Sequence, residues 1–569
     1  MNAIPTSANR RSRNREWWLA GLVFLTGLVV YFPGTAGDFI YDDNIDVRPV
    51  DDAFVPGAWP KLFFHAYSRL YRPLKYCSYH VDYLLSGWHA AGWHWQSCFW
   101  HALNGALVFW LARRLTVSLA GAVLGGLWFA VHPIHTETVV WISGRGSLLS
   151  TFGVLTVLLF YDRWRRQPVW WAWVGMLGGA FIGFFSKEDA LMVLPLIGVY
   201  ELFIRREKLA ALLKQRTFLL PALALSILAG IYLALRQSII AGLNQGRWDY
   251  GLAGWLSTLP VILTTYLRQL VWPDPMCVDQ PVDYDAGFGI AFWLSVLVLV
   301  ICVMVLLVRR TAWSHWQFAL AFFFIALIPA TGIIPINQPR ADRFLYLPSV
   351  AGALVVGWLW DWAQPRWRTA GLAFLSASLF WYGWRSWDYS KTFLNETVLW
   401  QNVLAVNPKS YRGYADLAAN ANNNGQPQLA LTLVDQALAL NPTSYPEGLV
   451  IKAYALELLG HLKEAETFYR RAIATGGEDP RWLYLLADLL QRENQLVAAE
   501  QTYDRITQLR PNYVEARYAA GILALQMNEP AKAEADIAAV LQADPANPQA
   551  RVMLELLHRK KTAPVNQPR

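Results

Sequence analysis

The sequence predicts an all-α chain in two parts: a polytopic membrane half of about eleven spans, then a soluble α-solenoid of short helical repeats. Three observations carry this. Apolar runs fill residues 17–385, whereas 391–569 are polar, Ala-rich and helix-favouring. Many of those runs approach the ~20 residues needed to cross a bilayer core. In the second half, small residues recur with a fixed period.

The bulk numbers agree with a membrane half. Of 569 residues, 55% are hydrophobic and only 16% charged, with a mean hydropathy of +0.24. The formal net charge of +8 does not point to nucleic acid, because the basic residues sit in short clusters between apolar runs. That is the pattern of cytoplasmic loops under the positive-inside rule. Candidate spans lie at 17–34, 94–112, 116–131, 147–161, 169–185, 189–204, 217–235, 287–308, 316–331, 344–362 and 367–384. With these spans, Arg10–Arg15, Arg113–Arg114, Arg163–Arg166, Arg205–Arg216, Arg309–Arg310 and Arg366 with Arg368 all fall on one side. The N-terminus is then cytoplasmic and everything after residue 390 extracytoplasmic. The apolar stretch 255–271 would invert that order if it crossed, so it reads as re-entrant or interfacial, ending at Trp272-Pro273-Asp274-Pro275. Trp17, Trp18, Trp170, Trp171 and Trp173 near span ends fit interfacial anchoring. The Arg10–Arg15 cluster precedes an apolar run without a small-residue cleavage site, so that run reads as a retained first span. Four cysteines give no disulfide framework; Cys77 and Cys277, in outer loops, read as free thiols with pairing left open.

The second half repeats at the tetratricopeptide period. Asn407-Pro408 and Asn441-Pro442 are 34 residues apart, as are Pro511 and Pro545. Ala418, Ala453, Ala487 and Gly521 form one series of small residues. Ala430, Ala465, Ala499 and Ala533 form a second, with Val434, Tyr469, Tyr503 and Ile537 four positions later. Small residues let paired helices approach, and each pair buries its apolar face only against its neighbours. The expected organisation is a membrane domain over 1–390, a linker over 391–410, about four repeats over 411–556, and a basic polar tail over 557–569. Such an array binds a partner, or serves as a spacer; Arg412, Asn422 and Asn423 are expected to line its groove.

Chemistry is sought where ionisable residues gather at the outer ends of spans. The long first outer loop, about 35–93, opens with YDDN at 41–44 and carries YRPL at 71–74. The next outer turn reads HPIHTETVVWISGR at 132–145, a third holds SKED at 186–189, and a fourth QPRADRFLY at 338–346. Each has a plainer reading: Asp42-Asp43 as a solvated turn, Lys187-Glu188 as a helix-capping ion pair, Arg340 and Arg343 as interfacial anchors. Together they suit group transfer from a lipid-linked phosphate. A carboxylate takes the proton of an attacking hydroxyl, and Arg and Lys meet the departing phosphate. Apolar spans hold the lipid tail. Nucleotide donors do not fit outward-facing groups, and there is no P-loop, Rossmann glycine pattern or nucleophile elbow. Seven of the 10 histidines lie between residues 65 and 135. Without an HExxH pattern they name no metal site, so no cofactor is assigned and a divalent metal stays open.

At these motifs the chain resembles the transmembrane and tetratricopeptide-repeat-containing protein O-mannosyltransferases and their bacterial relatives, among the GT-C glycosyltransferases. The pieces YDDN, YRPL, HPIHTETVVWISGR, SKE and RADRFLYLPS at 340–349, followed by the repeats, occur in order along nearly the whole chain. The resemblance implies a GT-C-type membrane domain with catalytic acidic residues at Asp42 and Asp43 and a second acidic position at Glu137. It also implies a polyprenyl-phosphate sugar donor, inversion at the sugar carbon and a Ser/Thr acceptor on a protein. On the combined reading, Arg72, Arg145, Lys187, Arg340 and Arg343 bind the donor phosphate, supported by His132, His135, Glu188, Asp342 and Tyr346. The expected setting is a bacterial inner membrane with the repeats in the periplasm or outside. Two readings compete with transfer to protein: transfer to a glycolipid or cell-wall polymer, and a non-catalytic scaffold.

Overall fold

The computed structural model describes residues 7–47, 59–64, 67, 70–115, 117–240, 251–282, 287–308, 313–333, 338–441, 445–511, 513–545 and 547–562. Arg309, Arg310 and Pro442, used above, lie outside the described residues. Every regular element among the described residues is helical, apart from an isolated bridge between Tyr67 and Leu70. The helices form two compact units, Met1–Asn407 and Pro408–Arg569.

All eleven expected stretches of the first unit carry helix. Its longer helices are α1 (Ser7–Val29), α2 (Pro73–Ser86), α3 (Ala90–Arg114), α4 (Leu119–Val131), α5 (Arg145–Arg166), α6 (Trp170–Phe184), α7 (Arg216–Ile240), α8 (Gly251–Gln269), α9 (Ile290–Leu307), α10 (Ser314–Leu327), α11 (Ser349–Trp362), α12 (Arg368–Ser390) and α13 (Glu396–Val406). Local signals set their starts. Ser118 accepts a hydrogen bond from the Gly121 amide at 3.1 Å, Asn395 caps α13 through the Val398 amide at 3.0 Å, and Pro73 opens α2.

Among the described residues, three helical stretches are long and apolar enough to cross a membrane: Ile142–Arg166, Arg216–Ile240 and Ile290–Leu307. A fourth results if Leu119–Val131 and Pro133–Val140, bent by 46° at Pro133, count as one broken span. In α9 Ser295 is the only buried residue. Its Oγ lies 2.8 Å from Thr264 Oγ1 on α8, and most Leu, Val and Ile side chains of α9 are exposed. Such an apolar surface suits lipid. Trp17, Trp18 and Trp170 are also exposed. Most of the stretch 255–271 lies in the single helix α8, with Pro260 inside it. Cys77 and Cys277 are free thiols.

Helices in a bilayer gain little from hydrophobic exclusion and associate through close packing of small residues. The α5–α6 pair shows this. A Cβ on Gly153 would lie 2.6 Å from the Gly183 Cα, whereas one on Gly178, on the open side of α6, would meet nothing.

The expected linker over 391–410 is structured through Asn407. Within α13, Trp400 is buried against the Tyr41 ring, and Asn402 donates to the Met276 carbonyl at 3.2 Å. The second unit has four helix pairs, beginning at Tyr411, Pro446, Pro480 and Val514, and a closing helix Pro548–Thr562. This matches the tetratricopeptide period, and every residue of both alanine series is buried. The closing helix takes in part of the expected tail, because Leu557 packs into the core beside Ala524 and Ala533; 563–569 lie outside the described residues. Asn422 does not line a groove. It is buried and donates to the Ile451 carbonyl at 3.1 Å, pinning one repeat to the next, while Asn423 is exposed and Arg412 half-buried.

Gly153→Ala is expected to destabilise the first unit by roughly 1–3 kcal/mol, because backbone cannot move aside as a side chain can. Gly178→Ala should be neutral or stabilise by up to ~1 kcal/mol through helix propensity. Thermal unfolding in detergent reads both. Equal midpoints for the two variants would refute the close packing of α5 on α6.

Candidate functional site

The first loop reaches the site through one left-handed residue. Tyr41 has φ +53°, unusual for an aromatic residue, and is held there from several sides. Its ring packs 5.4 Å from Trp141 and 5.3 Å from Trp400, and its amide donates to Glu396 Oε1 at 3.2 Å. Asn44 donates to the same carboxylate at 2.9 Å, and the Asp38 amide to the Leu394 carbonyl at 3.1 Å. The chain then turns into one helical turn, Asp43–Asp46.

The two adjacent carboxylates receive different surroundings. Asp43 is fully buried; Oδ1 accepts from the Ser143 amide at 2.8 Å and hydroxyl at 2.6 Å, and Oδ2 from the Ile40 amide at 3.4 Å. Burial pushes its carboxyl up to about 7, against the pull of the Ser143 bonds. Asp42 is only half-buried, and its charge is felt by Arg343.

Glu137 lies in the turn after α4, is buried, and forms an ion pair with Arg343. Its Oε2 also accepts from the Arg343 amide at 3.0 Å. The Arg343 guanidinium bonds Gln338 and lies 5.2 Å from the Trp141 ring centre. Beside it Asp342 is buried and accepts from Gln269 at 2.8 Å and Gln280 at 3.0 Å. Burial, with the Glu137 charge adding to it, pushes Asp342 up to about 7. Arg340 has no ion-pair partner among the described residues. Its Nη1 donates to the Pro281 carbonyl at a long 3.4 Å, and its Nε is buried without a partner.

A second group of charges adjoins the first. Arg72 forms a two-pronged pair with Glu188, at 2.8 and 3.1 Å. Burial opposes the charge on Glu188, but Arg72 outweighs it and draws the carboxyl down to about 2. Lys187 donates to Ser147 Oγ at 2.7 Å and pairs with Asp189 at 3.1 Å. Between the groups lie two residues that sequence reasoning missed, the buried ion pair of Asp46 and Lys75, with Tyr76 donating to Asp46 at 2.7 Å. A signal was present: Asp46 extends YDDN by two residues and Lys75 extends YRPL by one.

Not all expected phosphate ligands reach this face. Arg145 is fully buried, paired with Asp82 and bonded to Gln96 at 2.7 Å, Ser97 at 3.1 Å and the Trp93 carbonyl at 2.6 Å. It braces α2, α3 and α5 from behind instead of presenting donors. His132, His135 and Tyr346 are likewise buried among packed rings. His132 lies 3.1 Å from the Leu270 carbonyl, and His135 lies 2.9 Å from the Phe129 carbonyl and 2.8 Å from Ser349 Oγ. Tyr346 OH lies 2.8 Å from His101 Nδ1 and accepts from Asn104 at 3.2 Å. Among the described residues no three His, Cys, Asp or Glu side chains are arranged to hold a metal ion.

The class defined so far is an α-helical chain with long apolar helices, one cluster of buried charges and a tetratricopeptide array. Comparison with known proteins narrows it. The tetratricopeptide-repeat family model matches residues 421–489. The human protein O-mannosyl-transferase TMTC3 is 24% identical, over 95% of this chain and 66% of its own length. The Drosophila melanogaster Tmtc1 is 24% identical, over 75% of this chain and 62% of its own length. The chain is therefore similar along most of its length to the TMTC protein O-mannosyltransferases, and spans just under two thirds of the relatives it matches. Among solved structures, the tetratricopeptide-repeat protein YrrB is 22% identical, covering 28% of this chain and 83% of that one, with a TM-score of 0.25.

The raised carboxyls of Asp43 and Asp342, and of Asp82 at about 6, fix a pH response. An acid whose proton affinity rises on folding contributes stability below its ordinary value, 3.8, and loses that contribution as pH climbs toward about 7. Unfolding midpoints in detergent should therefore fall from pH 5 to pH 8, and Asp43→Asn should shallow the slope. A midpoint that rises over this interval would contradict the burial of these groups.

Proposed function

We propose that the chain is a GT-C-type membrane glycosyltransferase that moves a sugar from a polyprenyl-phosphate donor to an extracytoplasmic acceptor, a Ser or Thr hydroxyl of a protein. The observation that carries this reading is the meeting of Asp42, Asp43, Glu137, Arg340 and Arg343, from three distant segments, at one place. The acceptor oxygen attacks the anomeric carbon and its proton passes to a carboxylate. The bond from that carbon to the phosphate oxygen breaks, and polyprenyl phosphate departs. Asp42 is the base in this scheme, because it is half-buried and lies within reach of the Arg343 charge, whereas Asp43 is fully buried. Glu137 and Gln338 hold Arg343 in place. Arg340 and Lys187 meet the phosphate charge. The names of the relatives support mannose as the sugar and protein as the acceptor. The reading places the protein in a bacterial inner membrane, with the repeats in the periplasm, binding the protein acceptor.

Sugar transfer by purified protein from a polyprenyl-phosphate sugar is the test. Asp42→Asn keeps shape and removes basicity, and should lower the rate about 10²–10⁴-fold without changing the unfolding midpoint. Asp43→Asn should shift the midpoint as well. Wild-type transfer by a folded Asp42→Asn variant would refute the base assignment.

Shortening the chain to end at Lys409 removes the array and keeps α13 against the catalytic loop. Transfer to protein should slow, while transfer to a small soluble acceptor at high concentration persists, since the array raises the local concentration of its acceptor. Undiminished transfer to protein would make the array a spacer. Transfer that persists only to a glycolipid would move the acceptor to that class.

A further inference from the structure

Helix α13 touches both halves of the candidate site. On one side it holds the loop that carries Asp42. Where that loop begins, the Asp38 amide donates to the Leu394 carbonyl at 3.1 Å. A Cβ on Gly37 would lie 2.6 Å from the Phe393 carbonyl, so the two backbones run in close contact. Glu396 Oε1 then accepts from the Tyr41 amide at 3.2 Å and from the Asn44 side chain at 2.9 Å. These donors stand on either side of Asp42 in sequence, so one carboxylate spans the turn that carries it. Trp400, about one helical turn along α13, packs on the Tyr41 ring.

On its other side α13 holds the segment that reaches Arg343. Trp400 and Asn402 project about 160° apart around a helix of ~3.6 residues per turn. Asn402 donates to the Met276 carbonyl at 3.2 Å, and Asn407, just past the helix end, to the Asp279 carbonyl at 3.2 Å. The segment held in this way passes the contact on. Gln280 donates to Asp342 at 3.0 Å. The Val278 carbonyl accepts from Gln338 at 3.2 Å, and the side-chain oxygen of Gln338 bonds Arg343. Glu396 is suited to its place chemically. It sits in the first turn of α13, where the helix dipole favours a carboxylate, and a charged acceptor holds N–H donors more strongly than a neutral one.

We propose that α13 is a splint that fixes the Asp42 loop relative to the Arg343 segment, with Glu396 as the positioning residue for Asp42. The proposal rests on the glycosyltransferase reading, and adds to it a residue that lies outside all five charged motifs.

Hydrogen exchange and transfer kinetics of full-length protein in detergent, with undecaprenyl-phosphate mannose and a Ser/Thr peptide, test this. Glu396→Ala removes the acceptor. Exchange of the amides over 41–46 should quicken about fivefold or more. The kcat should fall about tenfold or more with the donor KM unchanged, because a reacting group displaced by ~1 Å loses up to ~10²-fold. Glu396→Gln keeps the side-chain oxygen and should restore most of both. Asn44→Ala removes one of the two bonds. It should lower kcat about threefold in the wild type and add nothing to Glu396→Ala. A folded Glu396→Ala variant with wild-type exchange and kcat overturns the splint. A loss in Glu396→Gln as deep as in Glu396→Ala makes the carboxylate charge itself the requirement and overturns the positioning role, as does an Asn44→Ala effect that adds in full to Glu396→Ala. If Glu396→Ala fails to fold, Asn44→Ala alone decides, and an unchanged kcat overturns the proposal. Wild-type protein that transfers nothing overturns the glycosyltransferase reading and the positioning role with it, whereas wild-type transfer with unaffected variants overturns the splint alone.

Discussion

The ion pair between Glu137 and Arg343 is the interaction on which the site depends. A carboxylate buried in an apolar scaffold carries a large desolvation penalty unless a cation and hydrogen bonds meet it, and removing one partner of such a pair costs roughly 3–5 kcal/mol. Glu137 meets this by taking both the side chain and the backbone amide of Arg343. That double attachment joins the turn after α4 to the segment before α11, which are far apart in sequence. Trp141 beneath the guanidinium and Gln338 beside it then fix the plane of Arg343. The loop carrying Tyr41 closes over the same Trp141 ring.

The same constraint repeats outward. Asp46 with Lys75 ties the start of the first loop to α2, Arg72 with Glu188 ties the start of α2 to the turn after α6, and Arg145 with Asp82 ties α2 to α5. Buried charge thus acts as a set of directional fasteners where hydrophobic packing would allow sliding. The consequence for chemistry is that most cations near the candidate base are occupied. Their electrostatic field is preorganised, but their hydrogen bonds are not free for a ligand. That separates residues that shape the field, such as Arg343 and Arg72, from Arg340, which has donors to spare.

Much of this was legible in the sequence. The repeat period named the solenoid, because small and large packing positions recur at fixed steps. The five charged motifs marked where buried ion pairs form, because ionisable residues are rare beside apolar spans. Pairwise partnership was not legible. Arg145 sits in a motif as conspicuous as that of Arg343, yet burial against Asp82, Gln96 and Ser97 turns it into a brace. Nothing in one sequence says which acid an arginine will find. Asp46 and Lys75 were passed over because each lies just beyond a recognised motif. Residues 391–410 were read as a linker from their polarity, whereas Glu396 and Asn402 are polar in order to bind loop backbone. Asn422 misled in the opposite way: polar residues on a solenoid suggest a groove, and this one is buried against the next repeat.

The two neighbouring aspartates show how a fold gives chemically identical groups different surroundings. Consecutive residues in a helical turn point about 100° apart, so Asp42 and Asp43 cannot share an environment once the turn is fixed. The left-handed Tyr41 fixes it, and the rings of Trp141 and Trp400 with the Glu396 carboxylate hold Tyr41 there. Asp43 is thereby driven into the protein, where Ser143 takes one oxygen and the Ile40 amide the other. Asp42 is left half-buried within the field of Arg343. Burial raises the proton affinity of Asp43. The division follows from the backbone at residue 41, which the aromatic packing of Tyr41 holds in place.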